Sequence, residues 1–589
     1  MKSKKMMTIL FDKMRRWVKC LLMFYLFTFL PLTANASLPV IDKDIAHRMG
    51  TINVLYNNRI CPLNTVTTDF VTKLTGSASW NGYSADEIFT SWMIYYSPWE
   101  QQKLIRVKSR EVQHLLGIDS QWASYSDFIN EYHEYKLQDI VFSVHSGSAT
   151  VTVSDRKDLL EADEKYHLIE MFYRGQFIRM FPYSIPPNDQ TTNLPNDQVT
   201  WYSPGAQTLP REIPVNEQFF IKQAMDFLTE SIVTGQRDRA FEIIAKIKLF
   251  QSEMIGDVLP SESKTRAEIF YNTLRSQRWP VFLALTLSLL LCIAMLFTRK
   301  RIIHFSLFTF TFLLFAYVTL QLGLRWWLGG HLPVSNGPET MLFMAWVLLL
   351  LPVALGAKAI LMRKRILHSS FFTLHLSMCF GPLMASFCLL VAMLGGTSSQ
   401  LTPLMPVLQS PLLSVHVMTV MCAYALFALQ MLIGVYALIV RSIECRTESV
   451  EFATAPEPTA VANSKLYTLN SKLNDAEANS KLYTLHSKLE RVTALSQLML
   501  YPAVFLLAIG IFLGAVWANV SWGCYWSWDP KESWALITLM VYAVPLHKGS
   551  VGIFNKPRFY HLYIVSAFLT VLITYFGVNF LLGGMHSYA

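Results

Sequence analysis

The chain has 589 residues, of which 52% are hydrophobic, 13% aromatic and only 15% charged, far below the roughly 25% charge of an ordinary soluble domain; a water-soluble globule is excluded. The net charge of +9 lies largely in short clusters beside apolar runs, such as Arg299-Lys300-Arg301 and Arg363-Lys364-Arg365, which is topogenic charge rather than a nucleic-acid patch. None of the eight cysteines forms a Cys-x-x-Cys pair, which points away from dithiol redox chemistry, thiolate zinc and a c-type cytochrome.

In chain order, Lys2, Lys4, Lys5, Lys13, Arg15, Arg16 and Lys19 precede the apolar stretch 20–32 and Ala34-Asn35-Ala36. This is the pattern of a cleavable signal peptide over 1–36; an uncleaved anchor starting near Trp17 is the alternative. Residues 37–278 read as a mainly α periplasmic domain. Helical stretches are predicted over 121–140, 158–181, 216–251 and 264–278, with a Gly/Pro/Asn-rich interruption over 183–210. Its histidines His47, His114, His133, His145 and His167 are scattered and read as surface or core residues.

Residues 279–589 hold the long uncharged runs. Eight transmembrane spans are expected, near 280–298, 302–324, 340–362, 371–394, 412–440, 497–518, 533–547 and 560–582. The basic residues 299–301, 363–365, Arg441, Arg446, Lys488, Arg491, Lys548, Lys556 and Arg558 then share one side, the cytoplasmic one by the positive-inside rule. The loops 325–339, 395–411, 519–532 and 583–589 face outward with the N-terminal domain. The fold expected is therefore an all-α polytopic membrane protein of a bacterial inner membrane. One cytoplasmic segment, 441–496, reads as a polar insertion, because Asn463-Ser-Lys-Leu-Tyr-Thr-Leu recurs from Asn479 as a direct duplication spanning 463–494.

Tryptophan is concentrated in the external loop 517–534, which contains Trp517, Trp522, Tyr525, Trp526, Trp528, Asp529, Lys531, Glu532 and Trp534. An interfacial aromatic belt spreads its rings over many helix ends; here they crowd one loop together with charges. Flat aromatic surfaces beside an acid and a base suit a large planar anionic ligand, with Lys531 available for a carboxylate. His416 lies just inside the external end of its span and His586 just beyond the external end of the last one. Two neutral imidazoles at one depth beside this loop match axial ligation of haem iron. His547 ends the span descending from Trp534, roughly 20 Å inward at ~1.5 Å per residue, and is a candidate inner ligand. His304, His368, His375 and His561 also lie near inner helix ends, and the sequence does not rank them.

The run Trp522-Gly-x-Tyr525-Trp526-x-Trp528-Asp529-Pro530-Lys531-Glu532 resembles the WWD signature of haem-handling proteins, specifically the CcsA (ResC) subunit of system II cytochrome c biogenesis. Arg325-Trp326, Gly330-His331-x-Pro333-x-Ser335-Asn336-Gly-x-Glu339, Pro403-Leu-x-Pro406-Val-Leu-x-Ser410 and Gly-x-His586-Ser-Tyr read like the same family, so the resemblance spans residues 280–589. It implies His416 and His586 as external haem ligands and His547 as one of two membrane-embedded ligands. The second embedded histidine belongs, by resemblance, to a ResB (CcsB) portion, and no ResB body is recognisable here. Arg59-Ile-x-Pro62-Leu-x-Thr65 is faintly similar to fused versions of the system.

The function expected is haem delivery across the membrane, with haem b as substrate, and its covalent attachment to the Cys-x-x-Cys-His of apocytochrome c. A ResB/CcsB-like membrane partner and separate thiol-reducing proteins are the expected associates. The alternatives are a haem exporter without ligation activity and a membrane b-type cytochrome in electron transfer.

Overall fold

The structure, a computed structural model, describes residues 38–147, 153–175, 177–184, 199–206, 208–297, 301–361, 368–395, 400–404, 408–454 and 465–582. The expected signal peptide and His586 lie outside these residues. The chain divides into two units, Met1–Asn272 and Thr273–Ala589.

The first unit begins with helix α1 (Lys43–Gly50), capped by Asp42, whose carboxylate accepts the Asp44 N–H at 2.9 Å. Strands β1 (Asn53–Tyr56) and β2 (Arg59–Pro62) pair antiparallel across Asn57 and Asn58. These two asparagines take φ of 50° and 56°, the left-handed values that a two-residue hairpin turn demands. Helices α2 (Leu63–Thr75), α3 (Ala85–Ile94) and α4 (Val153–Tyr173) follow. Strands β3 (Phe181–Ser184) and β4 (Val199–Tyr202) make a second hairpin, and α5 (Val215–Val233), α6 (Arg237–Ile255) and α7 (Glu262–Ser276) close the unit. Phe70, Phe89, Trp92, Trp99, Phe128 and Phe181 are fully buried and form its core.

The motif Arg59…Thr65 has a structural role here. Both terminal guanidinium nitrogens of Arg59 donate to Glu268, at 2.8 and 2.6 Å, and Thr65 Oγ1 donates to the same carboxylate at 2.7 Å. Burial alone would lower the Arg59 pKa, but the Glu268 hydrogen bond and charge reverse the effect and raise it.

The helix expected over 121–140 is not formed. Trp122–Ala123 is a strand, Ser126–Phe128 a 3₁₀ turn, and only Gln138–His145 is helical. Asp127 accounts for the break: its carboxylate takes both the backbone N–H and the hydroxyl of Ser124, a local alternative to helical bonding. The stretch 158–181 ends early for a strand, and 216–251 is two helices separated at Gly235, whose φ is +72°.

The second unit is helical: α8 (Trp279–Phe297), α9 (Arg301–Gly329), α10 (Gly337–Leu361), α11 (His368–Leu394), α12 (Pro411–Thr454), α13 (Lys465–Trp522), α14 (Pro530–Ala543) and α15 (Pro557–Leu572), which runs into a π-helical segment Ile573–Leu582. Among the described residues six helices are long and apolar enough to cross a membrane, or up to seven if α8 counts with the helix before it. The unit is a polytopic membrane protein. The expected span over 533–547 falls short of that length, since α14 has 14 residues and continues only as the 3₁₀ turn Val544–His547.

The segment 441–496 is not a loop in its described part. Helix α12 continues to Thr454 and α13 starts at Lys465, so the duplicated sequence lies in helical continuations of a long hairpin. The two arms are antiparallel: His416 meets Gly510, and Gln430, fourteen residues later, meets Ser496, fourteen residues earlier. Two ends can be named from the sequence, a tryptophan end (around 517–534) and a basic end (around 299–301 and 363–365).

Candidate functional site

Helix α12 begins at Pro411, which needs no N–H partner at a helix start, and places His416 one turn in. Its ring lies against α13 where two glycines recur four residues apart. A Cβ on Gly514 would stand 2.7 Å from His416 Cε1, and one on Gly510 would stand 2.5 Å from Val420 Cγ2. Small residues at this spacing let helices approach closely inside a membrane; here the missing side chain of Gly514 makes room for the His416 ring and that of Gly510 for Val420. His416 Nδ1 donates to the Gly510 carbonyl at 2.6 Å. That bond places the proton on Nδ1 and the lone pair on Nε2, the tautomer a metal-binding histidine uses when its second nitrogen is held by a backbone carbonyl.

Helix α13 delivers the tryptophan run. Trp517 is buried and meets Trp522 edge-to-face, with centroids 4.8 Å apart at 70°. After Gly523, at φ +77°, the chain leaves the helix. Trp526 and Trp528 form a second edge-to-face pair, 5.9 Å apart at 83°. Trp528 is 73% exposed and Tyr525 59% exposed, while Trp528 takes a left-handed φ of 58°, which is strained for a bulky residue. The rings are thus two crossed pairs rather than one flat platform. Among the described residues the buried Trp526 Nε1 has no acceptor.

Asp529 and Glu532 build the start of α14 as a capping box, with Pro530 in the first turn. Asp529 is 6% exposed, and its carboxylate accepts the Lys531 N–H at 3.1 Å. Glu532 accepts from the backbone of Ser527 at 2.8 Å and of Asp529 at 3.4 Å. Lys531 Nζ donates to Asn579 Oδ1 in the π-helical segment at 3.0 Å, and Asn579 Nδ2 donates to the Tyr575 carbonyl at 2.6 Å. The Tyr575 hydroxyl pairs with Thr340 at 2.7 Å. The acid and base of the tryptophan run therefore also fix the geometry of the two last helices.

The other family-like motif is joined at the same end. Arg325 Nε donates to Glu339 at 2.5 Å and Arg325 Nη2 to the Gln400 carbonyl at 2.9 Å. The second Glu339 oxygen accepts the Ser335 N–H at 2.7 Å and hydroxyl at 2.6 Å. Both side chains of the ion pair are at most 4% exposed. A buried charge survives in such a place only when paired and hydrogen-bonded, so Arg325, Ser335 and Glu339 hold the segment before α10 against the Gln400 segment.

Of the remaining histidines, His547 is exposed at the end of its 3₁₀ turn, with its carbonyl accepting from Ser550 and Val551. His561 is buried among α12, α13 and α15. Thr493 gives its hydroxyl proton to the Leu489 carbonyl, so His561 Nε2 must donate to Thr493 Oγ1 at 2.9 Å; this is a core histidine with a fixed tautomer. His304 and His375 meet at the basic end, their rings 5.5 Å apart. The His368 side chain lies outside the described residues.

Two groupings escaped the sequence reading. His133, His145 and His167, treated there as scattered, line one cavity of about 640 Å³ in the first unit with Tyr135 and Tyr166. Tyr135 and Tyr166 stack at 3.9 Å, and the signal that could have joined them is the aromatic spacing along α4. Cys292 of α8 and Cys379 of α11 are buried free thiols on two helices that pack together, although no Cys-x-x-Cys exists. Among the described residues no three His, Cys, Asp or Glu side chains converge to hold a metal ion.

A bundle of membrane-length helices that seats a histidine tautomer beside a capped, tryptophan-rich segment defines a polytopic membrane protein. Residues 334–586 match the family described as "Cytochrome C assembly protein". The chain is 35% identical over 278 residues to the cytochrome c biogenesis protein CcsA of Prochlorococcus marinus (strain MIT 9313), covering 46% of this chain and 80% of that one. It is 34% identical over 276 residues to CcsA of Chlorella vulgaris, covering 46% and 82%. The chain belongs to the CcsA family of cytochrome c biogenesis proteins. It is also 31% identical over 538 residues to Protein NrfI of Wolinella succinogenes, covering 90% of this chain, so the likeness includes the first unit; the chain spans about half (53%) of NrfI's length.

Proposed function

We propose that the second unit carries haem from the basic end, facing the cytoplasm, to the tryptophan end, facing the periplasm, and presents it there for thioether formation with the two thiols of an apocytochrome c Cys-x-x-Cys-His. The observation that carries this reading is the seat of His416, where the Gly510 carbonyl fixes Nδ1 and thereby leaves the coordinating lone pair on Nε2.

His586 supplies the second external ligand and His547 an inner one. Trp522, Tyr525, Trp526 and Trp528 supply the aromatic contact surface, and the buried Trp526 Nε1–H suits a propionate oxygen, since an unmet buried donor costs about 1–3 kcal/mol. Asp529 and Lys531 hold the frame. The substrate is haem b, whose vinyl groups carry the reactivity while the protein contributes orientation. The first unit, in the periplasm behind a signal peptide or anchor, serves assembly or docking. A ResB/CcsB-like partner supplies the second inner ligand, and separate thiol-reducing proteins keep the apocytochrome reduced.

The test is His416→Gly, with and without added imidazole, read as cytochrome c formed by the intact membrane system. Loss of maturation with partial rescue by imidazole supports ligation at this position, because a small imidazole fits the space the ring vacates. Normal maturation without imidazole would remove His416 from the site. Trp526→Ala should not be rescued, because it removes contact surface rather than a ligand.

A further inference from the structure

The cavity of about 640 Å³ in the first unit is lined by no residue that the proposed haem route uses. Its walls come from the short helix Gln138–His145 and from α4. Tyr135 and Tyr166 line it as a stacked pair, 3.9 Å apart at 7°, and Tyr166 stacks in turn on Tyr125 at 5.6 Å. Phe142, on the same cavity, leaves 74% of its surface exposed. Three carboxylates, Glu134, Asp163 and Glu170, face this space against one guanidinium, Arg174. Arg174 is committed to Glu170 at 2.5 Å, and Glu170 also meets His167 Nδ1 at 3.1 Å. Asp163 Oδ1 accepts the Tyr135 hydroxyl at 3.0 Å, and Glu134 Oε2 accepts from Asn130 at 3.0 Å. The second oxygen of Asp163 and of Glu134 has no hydrogen-bond partner among the described residues.

We propose that this cleft docks an extended, basic polypeptide segment, seating a lysine or arginine side chain against the rings with its charge at Glu134 and Asp163. The inference rests on the docking role given to the first unit above and specifies it. Rings and carboxylates together select a cation. An aromatic face attracts a positive charge through its quadrupole, and a carboxylate with a spare oxygen adds a charge-assisted hydrogen bond. The apolar stem of the same side chain lies along Val141 and Phe142 while its head stays with the acids. An anionic ligand meets three carboxylates and finds the one guanidinium already paired. A purely apolar ligand strips water from those carboxylates and returns no hydrogen bond. The volume lies in the range of sites that hold a small ligand or a few side chains, so the occupant is a segment of chain rather than a folded face. Docking here makes contacts and hydrogen bonds, and no covalent bond forms or breaks.

The experiment titrates the detergent-solubilised full chain into a fluorescently labelled oligolysine peptide at physiological ionic strength and follows anisotropy, with an oligoglutamate peptide of the same length as control. The oligolysine peptide should bind and the oligoglutamate peptide should not. Phe142→Ala changes no charge and alters a side chain that the fold leaves exposed; it should weaken binding about two- to fivefold. Glu134→Gln with Asp163→Asn, which keeps an acceptor for the Tyr135 hydroxyl, should weaken it more than Phe142→Ala does. Glu242→Gln with Glu262→Gln removes the same charge from exposed positions on α6 and α7 and should leave the affinity unchanged. The proposal is overturned if the wild type binds both peptides or neither, or if the α6 and α7 pair weakens binding as much as the cleft pair. The docking role has its own readout, the cytochrome c formed by the same variants. Unchanged peptide binding in every variant removes the cleft and leaves the docking role to another face of the unit. Loss of the peptide with full cytochrome c yield confirms the cleft as a cation site and removes it from maturation.

Discussion

Gly514 and His416 compete for one volume from two helices: a Cβ at 514 would stand 2.7 Å from His416 Cε1 and 3.0 Å from Nδ1. Gly514→Ala therefore pushes the ring out of its seat even though alanine favours the helix itself. Overpacking of about 1–3 kcal/mol corresponds to roughly a five- to hundredfold loss in iron affinity. The variant should accumulate in the membrane at normal levels while losing cytochrome c maturation and shifting its haem spectrum. Gly323→Ala is the control, because nothing lies within 4 Å of a Cβ there; it should mature cytochrome as the wild type does.

Asp529 distinguishes a cap from a ligand-facing charge. As the N-cap of α14 it needs an oxygen acceptor rather than a negative charge, and asparagine caps as well as aspartate. Asp529→Asn should retain most activity, whereas Asp529→Ala should cost about 1 kcal/mol of local stability and most of the activity. Equal loss in the two variants, measured as cytochrome c yield per unit of protein, would show that the charge itself is required.

The Arg325–Glu339 pair is almost fully buried. Removing one partner leaves an uncompensated charge at a cost of about 3–5 kcal/mol, while replacing both together costs much less. Arg325→Met and Glu339→Gln should each lower the thermal midpoint of the detergent-solubilised protein and its membrane level. The double variant should recover part of the loss, and a strictly additive double variant would show that the two residues do not act as a pair.

Much of this was legible because it is local. Apolar run length gave the helices of the second unit, and the density of tryptophan in 517–534 singled out one loop. Asp529-Pro-Lys-Glu532 is a capping box in plain sight, yet its charges read first as ligand contacts, because charge in an aromatic setting suggests both. What the sequence could not supply was register between distant helices. The seat of His416 depends on residues 94 positions away, and the His304–His375 contact on two helices that are not neighbours in sequence. The failed helix over 121–140 has a different cause: the Asp127 side chain bonds the Ser124 backbone and hydroxyl, a competition that apolar spacing does not register.

Acid should loosen the first unit at α4. Burial alone would raise the Glu161 pKa, but hydrogen bonds from Lys108 and Lys165 hold it at about 2. Its folded value is thus depressed below the ordinary ~4.3. The stabilisation is fully present above that ordinary value and is lost as pH falls through about 2. Buried Lys165 is then left with the Arg106 carbonyl, to which it donates at 2.6 Å. The thermal midpoint of the first unit, followed by near-ultraviolet circular dichroism, should fall progressively below about pH 4. Glu161→Gln should be less stable at neutral pH and show a shallower acid slope; an unchanged slope would mean that other carboxylates dominate.

Deletion across the duplicated segment should have a sharp limit. Read as a polar insertion, 463–494 is dispensable as a whole. Leu489 and Val492, however, are buried in the core of the second unit at 3% and 0% exposure, and Thr493 accepts the His561 Nε2–H. Removing them strips two apolar side chains from a packed helix pair, at about 2–5 kcal/mol each for a large-to-small change, and leaves His561 without its partner inside the bundle. Deleting one copy, 463–478, removes the start of α13 and leaves Leu489, Val492 and Thr493 in the chain. That variant should accumulate and mature cytochrome c at near wild-type levels, while deletion of 463–494 should reduce membrane accumulation several-fold. If the short deletion accumulates normally but matures no cytochrome, the duplicated segment binds a component of the pathway rather than merely extending the hairpin.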